Sequence, residues 1–470
     1  MTRVSRRTFI NGAGALAGLA WLPRTVVAGA AKPIELTAKP GMAQLLDAGE
    51  PKTAVWGYDG SIPGPLLRVR QNDEVWVRLK NELDQPTTIH WHGIRIDNRM
   101  DGVAGLTQEP VAPGATFDYR FRVPDAGSFW YHPHNRSWEQ VARGLYGALI
   151  VDERDPPRVD RDLVLIIDDW RLQNDGAIHT ESFGSLRDIS HGGRLGNVIS
   201  VNGQPYGNVD VKANERLRLR LMNTCNARIL DLKLEGLSPY LIAVDGQAVA
   251  VSQIDDGKLT LAPGQRADLI VDMRGKPGDR LAVNEVSRDP LTIGHFVLHP
   301  TEPFRDQPLA APANLPRPAI KEPDLASAQS VDLVMTGGAM SGIEGAMYKG
   351  VYLPIRELIR KHGKVWAFNG VVGRSDEPLF RVAKDRSVKL KMVNKTPWPH
   401  AMHVHGHHFK VIERNDGRPL DATWRDTVLM DPDSTFTIAF LADNPGKWML
   451  HCHMLEHQAG GMATWFEIVA

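Results

Sequence analysis

The sequence predicts an all-β protein made of three related β-sandwich domains, and three recurring elements carry that prediction. The first is a polar turn, then alternating apolar and charged residues, then Asn. It reads V-R-Q-N-D-E-V-W-V-R-L-K-N from Val69, V-K-A-N-E-R-L-R-L-R-L-M-N from Val211 and V-A-K-D-R-S-V-K-L-K-M-V-N from Val382. Alternation with a period of two places successive side chains on opposite faces, so each segment is expected to be a strand with one face buried. The second element lies downstream: V-A-P-G-A-T-F-D-Y-R-F from Val111, L-A-P-G-Q-R-A-D-L-I-V from Leu261 and M-D-P-D-S-T-F-T-I-A-F from Met430. The third is a turn before each strand: D-G-S-I-P-G-P at 59–65, N-G-Q-P at 202–205 and N-G-V-V-G at 369–373. One order, repeated at domain spacing, means three copies of one sandwich.

Composition agrees. A chain of 470 residues is too long for one small core, and Gly 43 with Pro 32 favours strands and turns over helices. The formal net charge is zero, with no basic footprint for nucleic acid and no polybasic membrane patch. Only Cys225 and Cys452 are present, so no disulfide framework supports the fold. Cys225 reads most simply as a small buried apolar residue.

From the N-terminus, S-R-R-T-F-I (Ser5 to Ile10) precedes the run N-G-A-G-A-L-A-G-L-A-W-L and then A-G-A, a small-residue cleavage pattern. The run is too short and Gly-rich to span a bilayer. It resembles a twin-arginine export signal over residues 1–30, carried by Arg6 and Arg7. That resemblance implies a periplasmic metalloprotein, exported already folded by the twin-arginine machinery. No second apolar segment approaches the length of a membrane span, so a soluble mature protein is expected. The three copies are expected at 31–155, 156–310 and 311–470. D-E-R-D-P-P (Asp152 to Pro157) separates the first two, and the Pro/Ala-rich stretch from Pro300 to about Ser330 is the second linker. I-R-E-L-I-R-K-H (Ile355 to His362) suits a short helix in the third copy.

The chemistry lies in the histidines. Ten of the seventeen fall in four clusters: His90 and His92 in H-W-H-G; His132 and His134 in H-P-H; His400, His403 and His405 in H-A-M-H-V-H-G-H; His451, His453 and His457 in H-C-H-M-L-E-H. On a strand, residues two apart share a face, so each H-x-H presents two imidazoles side by side. Packing has no use for so many neighbouring imidazoles, whereas a polynuclear metal site does. Cys452 points opposite to His451 and His453, so it can ligate one metal while its neighbours ligate others behind it. Cys452, His400 and His457 form a His₂Cys set to which Met462 can add a weak axial thioether, the combination of a blue-copper electron-transfer site.

In order and spacing, these clusters match the four ligand motifs of the multicopper oxidases, the laccase-like family of three cupredoxin domains. The chain resembles that family over essentially its whole length after the leader. The resemblance implies three cupredoxin-like Greek-key sandwiches and four copper ions. It assigns His400, Cys452, His457 and Met462 to a type 1 copper, and His90 and His403 to a type 2 copper. It assigns His92, His132, His134, His405, His451 and His453 to a type 3 pair, and leaves His407 a non-ligand. The implied reaction oxidises a small reductant, a metal ion or a phenol, one electron at a time and reduces O₂ to water. The second copy contributes no histidine pair and reads as a spacer, so the cluster forms between copies one and three, in a protein expected to be a monomer.

Two acids are singled out as catalytic candidates. Asp101, in R-M-D-G-V, matches an acid that many bacterial members place beside the trinuclear site as a proton source; it also suits a turn. Asp426, in W-R-D-T-V, is expected beside the type 1 site, either to receive Cu(I) or to anchor a loop. Many members carry Glu after the last type 1 histidine, where this chain has Gln458; Glu456 is the nearby acid. Met335, Met340 and Met347, in a Gly-rich stretch, read either as a patch for a reduced copper ion or as loop filler. Together these features lead to an expectation of broad substrate tolerance with Cu(I) oxidase activity.

Overall fold

In each copy the repeated strand lies inside a sheet between the same two kinds of neighbour. These strands are Glu74–Asn81, Arg216–Asn223 and Arg386–Asn394. Each pairs antiparallel with the strand grown from the downstream Pro-containing turn: Thr116–Arg122, Arg266–Asp272 and Thr435–Ala442. Each pairs in parallel, on its other side, with the strand that opens its copy: Ile34–Ala43, Arg161–Trp170 and Gln329–Gly337. Parallel neighbours cannot be joined by a tight turn, so the chain crosses to a second sheet and returns, which is the Greek-key path. That second sheet also holds at least one parallel pair in every copy. Three apolar clusters fill the three sandwiches. The computed structural model describes residues 25–27 and 32–470; the twin-arginine motif lies outside them.

The Asn that ends each repeated strand explains why the repeat persists. Asn81 Nδ2 donates to the Gln85 and Val111 carbonyls (both 2.8 Å), while its Oδ1 accepts from Leu83 N (3.0 Å). Asn223 makes the same three bonds with Arg228, Leu261 and Cys225, and Asn394 makes them with Trp398, Asp431 and Thr396. One buried amide therefore ties the strand end to the turn before the next strand. Such a group is kept in a core only when all its bonds are made.

One expectation needs correcting. The strand Arg216–Asn223 is buried on both faces, not one. Its arginines point into a closed interface: Arg216 pairs with Asp272 (2.6 Å), Arg218 with Asp268 and Glu153 (2.6 Å each), and Arg220 with Asp162 (2.8 Å). A charged alternating face looks like a wetted one in sequence, but here carboxylates from the two neighbouring strands of the same sheet, with Glu153 from across the domain seam, replace the water. A fourth apolar cluster, including Trp130, Trp170 and Met222, continues that seam.

Ile355–His362 is helical, as its pattern suggests, and ends on Gly363 at φ 62°, the left-handed conformation that caps a helix. Among the described residues no helix is long and apolar enough to cross a membrane. Both cysteines are free and buried.

Candidate metal centres

Strand register brings the histidines together. His90–His92 pairs antiparallel with Gly127–His132, setting His90 opposite His132. In the third copy His400–Val404 pairs with Gly446–Cys452, setting His403 opposite His451 and Met402 opposite Cys452. Alternation then separates two groups. On one face Cys452 Sγ lies 3.7 Å from His400 Nδ1 and 3.8 Å from His457 Nδ1, which are 3.1 Å from each other. On the other face, His90, His92, His132, His134, His403, His405, His451 and His453 form one continuous network of ring contacts.

The three-residue group is built to present lone pairs inwards. His400 Nε2 is held by Thr396 Oγ1 (2.9 Å), and His457 Nε2 donates to the His191 carbonyl (2.5 Å), so both Nδ1 atoms face the sulfur. Met462 is fully buried; its N–H donates to the His457 carbonyl (2.9 Å) and its carbonyl accepts from Cys452 N (3.1 Å). Burial pushes the Cys452 thiol up to about 12 and His457 down to about 4. A thiolate there needs a cation beside it.

In the larger group the backbone chooses the tautomers. His90 Nδ1 donates to the Asp101 carbonyl (2.8 Å), His132 Nδ1 to Pro133 O (3.1 Å), His403 Nδ1 to Asp426 O (2.9 Å) and His451 Nδ1 to Cys452 O (2.9 Å). A carbonyl only accepts, so each Nε2 is left with its lone pair. The Nε2 atoms of His90, His132 and His403, Nδ1 of His92 and both nitrogens of His453 are buried without a hydrogen-bond partner. His134, His405 and His451 aim their Nε2 atoms at one another, 3.4 and 3.1 Å apart across His451. Burial lowers the pKa of His92, His132, His134, His403, His405, His451 and His453, favouring neutral imidazoles. Each orphaned polar atom costs about 1–3 kcal/mol unless something accepts its lone pair. Bound copper ions fit this donor set, because they are what neutral imidazole nitrogens and a thiolate bind.

Both candidate acids lie at this larger group. Asp101 is buried, and its carboxylate is 3.0 Å from His405 Nδ1 and 3.2 Å from His90 Nδ1. Asp426, expected beside the type 1 group, is not there. Register sets Thr427 opposite His403 and Met430 opposite His400, so Asp426 falls at the end of the strand away from His400. Its Oδ1 is 3.1 Å from His92 Nε2, and Arg266 grips both oxygens (2.9 and 2.7 Å). Burial alone would raise Asp426, but the Arg266 guanidinium, together with His92 and His403, outweighs it and holds the carboxyl well below the usual range. Glycine is required where these groups pack. A Cβ on Gly93 (φ 85°) would lie 2.2 Å from Arg266 Nη2, and one on Gly264 (φ 85°) 3.0 Å from the His453 ring.

The second copy is therefore more than a spacer. It supplies Arg266 and the His191 carbonyl, and Asp245 accepts from the backbone N–H groups of Asp426 (3.3 Å) and Thr427 (3.2 Å). Arg266 stands in the repeated element where the sibling copies have Thr116 and Thr435, which is the signal that could have found it. Burial, reinforced by the Asp426 charge, pushes Asp245 up to about 7. Such a carboxyl takes up a proton on folding, so its stabilisation is complete below the ordinary carboxyl range and is lost as pH rises. The buried histidines, whose pKa burial lowers, act in the opposite sense and outnumber it. The melting temperature of the copper-free protein should therefore rise between about pH 4 and about pH 6.5, and Asp245→Asn should steepen the rise. An unchanged slope in the variant would assign the titration elsewhere.

The methionines do not form a patch. Met335 is fully buried in the third core, whereas Met340 is 85% exposed and Met347 37%. The strand Gln329–Gly337 runs through Met335 and pairs it with Phe368, which removes it from the Gly-rich loop. Glu456 turns inwards to Asn226 Nδ2 (2.7 Å) and Arg194 N (3.2 Å), and Gln458 Oε1 accepts from Ser137 Oγ (3.0 Å). His407 packs on Trp448 and Phe466.

Known proteins share this arrangement. Family models described as multicopper oxidase match residues 41–156, 161–294 and 352–470. "Multicopper oxidase MmcO" of Mycobacterium tuberculosis is 31% identical over 89% of this chain and 84% of its own length. The crystal structure of a multi-copper oxidase from Pseudomonas thermotolerans superposes with a TM-score of 0.82 at 32% identity, covering 95% of this chain and 100% of that one. Lac15, from a marine microbial metagenome, does so with a TM-score of 0.74 at 38% identity, covering 93% and 100%. With three domain matches in order, and a relative this similar along most of both chains, the protein belongs to the multicopper oxidase family and is a copper-dependent oxidoreductase of the laccase-like type.

Proposed function

We propose that the chain takes electrons singly from a small reducing substrate and delivers them to O₂, giving water, with four copper ions as cofactors. His400, Cys452, His457 and Met462 would hold a type 1 ion, and His90 and His403 a type 2 ion. His92, His132, His134, His405, His451 and His453 would hold a type 3 pair. When bound, copper supplies the one-electron redox chemistry that protein side chains lack. The observation that carries the reading is Cys452 between His451 and His453, with its sulfur in one donor group and its neighbours in the other. The covalent path through that backbone joins the two groups. The surrounding residues keep ring tautomers fixed and keep water out. Metal analysis should find about four copper ions per chain, and oxygen uptake should end in water. A single copper, or hydrogen peroxide as the product, would overturn the reading.

Asp101 suits the role of proton source, because it contacts two histidines of the larger group and neither candidate type 1 imidazole. Asparagine keeps an acceptor for His405 but cannot exchange a proton. Asp101→Asn should slow oxygen reduction while rapid-mixing spectra show type 1 reduction nearly unchanged. Slower type 1 reduction instead would move Asp101 to the substrate side.

Among reductants the geometry favours small phenols over Cu(I). Among the described residues no carboxylate lies within ion-pairing distance of His400 or His457; around them, beside Thr396 and Cys452, lie Trp366, the His191 carbonyl and, on the His191 ring, Trp398. Asp426 and Met335, two of the groups that had spoken for Cu(I), lie elsewhere. Oxygen uptake with Cu(I), Mn(II) and a dimethoxyphenol side by side tests this, and faster turnover of Cu(I) would reverse it.

The same reading keeps domains at 31–155, 156–310 and 311–470 and export to the periplasm by the twin-arginine route. Replacing Arg6 and Arg7 with Lys should leave a folded protein in the cytoplasm; normal export would mean that another route is used.

A further inference from the structure

Eleven large apolar side chains are exposed among the described residues, and four of them fall within thirteen positions: Met340 (85%), Met347 (37%), Val351 (58%) and Tyr352 (57%). Apolar residues exposed singly need no explanation, but a cluster does. Register explains why these face water. Gly345–Tyr348 and Val351–Pro354 form a hairpin closed by Lys349 and Gly350, both at positive φ (49° and 78°), the two-residue turn whose twist matches its strands. Ala346 and Leu353, opposite one another, turn inwards onto a small core that includes Leu358 of the helix Ile355–His362. Met347 and Tyr352, the next opposite pair, are therefore left outside. Met340 follows Ala339, whose N–H donates to the Ser190 carbonyl (2.7 Å) and whose carbonyl accepts from Trp398 Nε1 (3.0 Å), so the patch begins beside the loop that covers His457.

Cations flank these side chains. Lys349 stands at the hairpin tip, its Nζ 5.6 Å from the Tyr348 ring, and Arg356 and Arg360, one helical turn apart, are both exposed. None of the three has a carboxylate within ion-pairing distance among the described residues. Of the two acids between 340 and 362, Glu357 is paired with Lys361 (2.7 Å), which leaves Glu344 alone against three unpaired cations. Spaced singly along the chain, these do not read as a basic run; folding gathers them around the apolar tip. Apolar side chains ringed by unpaired cations complement a surface that is apolar within and negative at its face. We propose that the hairpin and its helix dock the protein on an anionic lipid bilayer, with Val351 and Tyr352 entering the headgroup layer and Lys349, Arg356 and Arg360 meeting its phosphates. Tyrosine suits that boundary, because its ring is apolar and its hydroxyl stays wet.

Vesicle sedimentation tests this on the intact protein. Binding to vesicles of equal parts phosphatidylglycerol and phosphatidylcholine should exceed binding to phosphatidylcholine alone by about tenfold, and should fall as salt is raised from about 0.1 M to about 1 M. Val351→Thr with Tyr352→Thr keeps strand-forming residues but removes the apolar tip, and should weaken binding about tenfold. Lys349→Gln with Arg356→Gln and Arg360→Gln should remove most of the preference for the anionic lipid. All five positions are exposed, so melting temperature and oxygen uptake in solution should stay as they are in both variants. Equal binding by all three proteins, or binding to neither kind of vesicle, would overturn the proposal. So would a dimer, formed without vesicles and broken by the threonine variant, which would give the patch to a second copy of the chain.

Discussion

Cys452→Ser should abolish the blue colour and the oxidase activity together, with turnover falling to background. Cys452 is fully buried and is the sulfur on which His400 and His457 converge; Cys225, the other thiol, lies in the core of the second copy. Charge transfer from a thiolate to copper is the source of colour that this donor set offers, and a serine oxygen does not provide it. The substitution also leaves the backbone between His451 and His453 intact, so the larger group should still load. Absorption spectroscopy, oxygen uptake and metal analysis on one preparation separate these effects. A variant that stays blue would remove the type 1 assignment, and one that loses colour but keeps full activity would remove the Cys452 path.

Arg266→Leu should be the most damaging substitution outside the ligand set. Arg266 is fully buried, with two bonds to Asp426 and Asp245 at 3.6 Å. Leucine replaces the aliphatic stem but leaves two buried carboxylates with no cation. Removing one partner of a buried ion pair typically costs about 3–5 kcal/mol, more than the pair contributes relative to apolar residues. Unfolding of the copper-free variant should show a loss of that order. Copper content should fall too, because Asp426 holds the His92 ring that leaves Nδ1 free. Adding Asp426→Asn and Asp245→Asn to Arg266→Leu should recover part of the stability by removing the unbalanced charge. A loss under about 1 kcal/mol in the single variant would show that the carboxylates find another counter-charge or accept protons without strain.

Much of the site was legible because strands translate spacing directly into direction. H-x-H means two rings on one face, and H-C-H means one residue turned against two, and both hold in the folded chain. The three-fold repeat was legible because one Asn does the same work in each copy. What escaped depends on register and on contacts across domain seams. Nothing in W-R-D-T-V says which histidine its aspartate will meet; the pairing of Thr427 with His403 decides it. Met335 looked like loop because Gly-rich residues follow it, whereas the preceding strand extends through it. The arginines of R-L-R-L-R-L looked solvated because their carboxylates come largely from outside that strand, Glu153 of the preceding stretch among them.

The larger histidine group draws on both ends of the chain, with His92 meeting Asp426 across 334 positions and His134 meeting His451 across 317. Closing a loop of that length costs about 5 kcal/mol of chain entropy, modest beside the domains that close it. The greater consequence is one of timing. During synthesis the first sandwich emerges and folds hundreds of residues before its partner exists. A nascent chain therefore displays His90, His92, His132 and His134 as an open half-site, while Cys452 has yet to be translated. Neither complete donor set can assemble until the segment 451–462 has been made, so loading of the full sites with metal follows synthesis of the third sandwich.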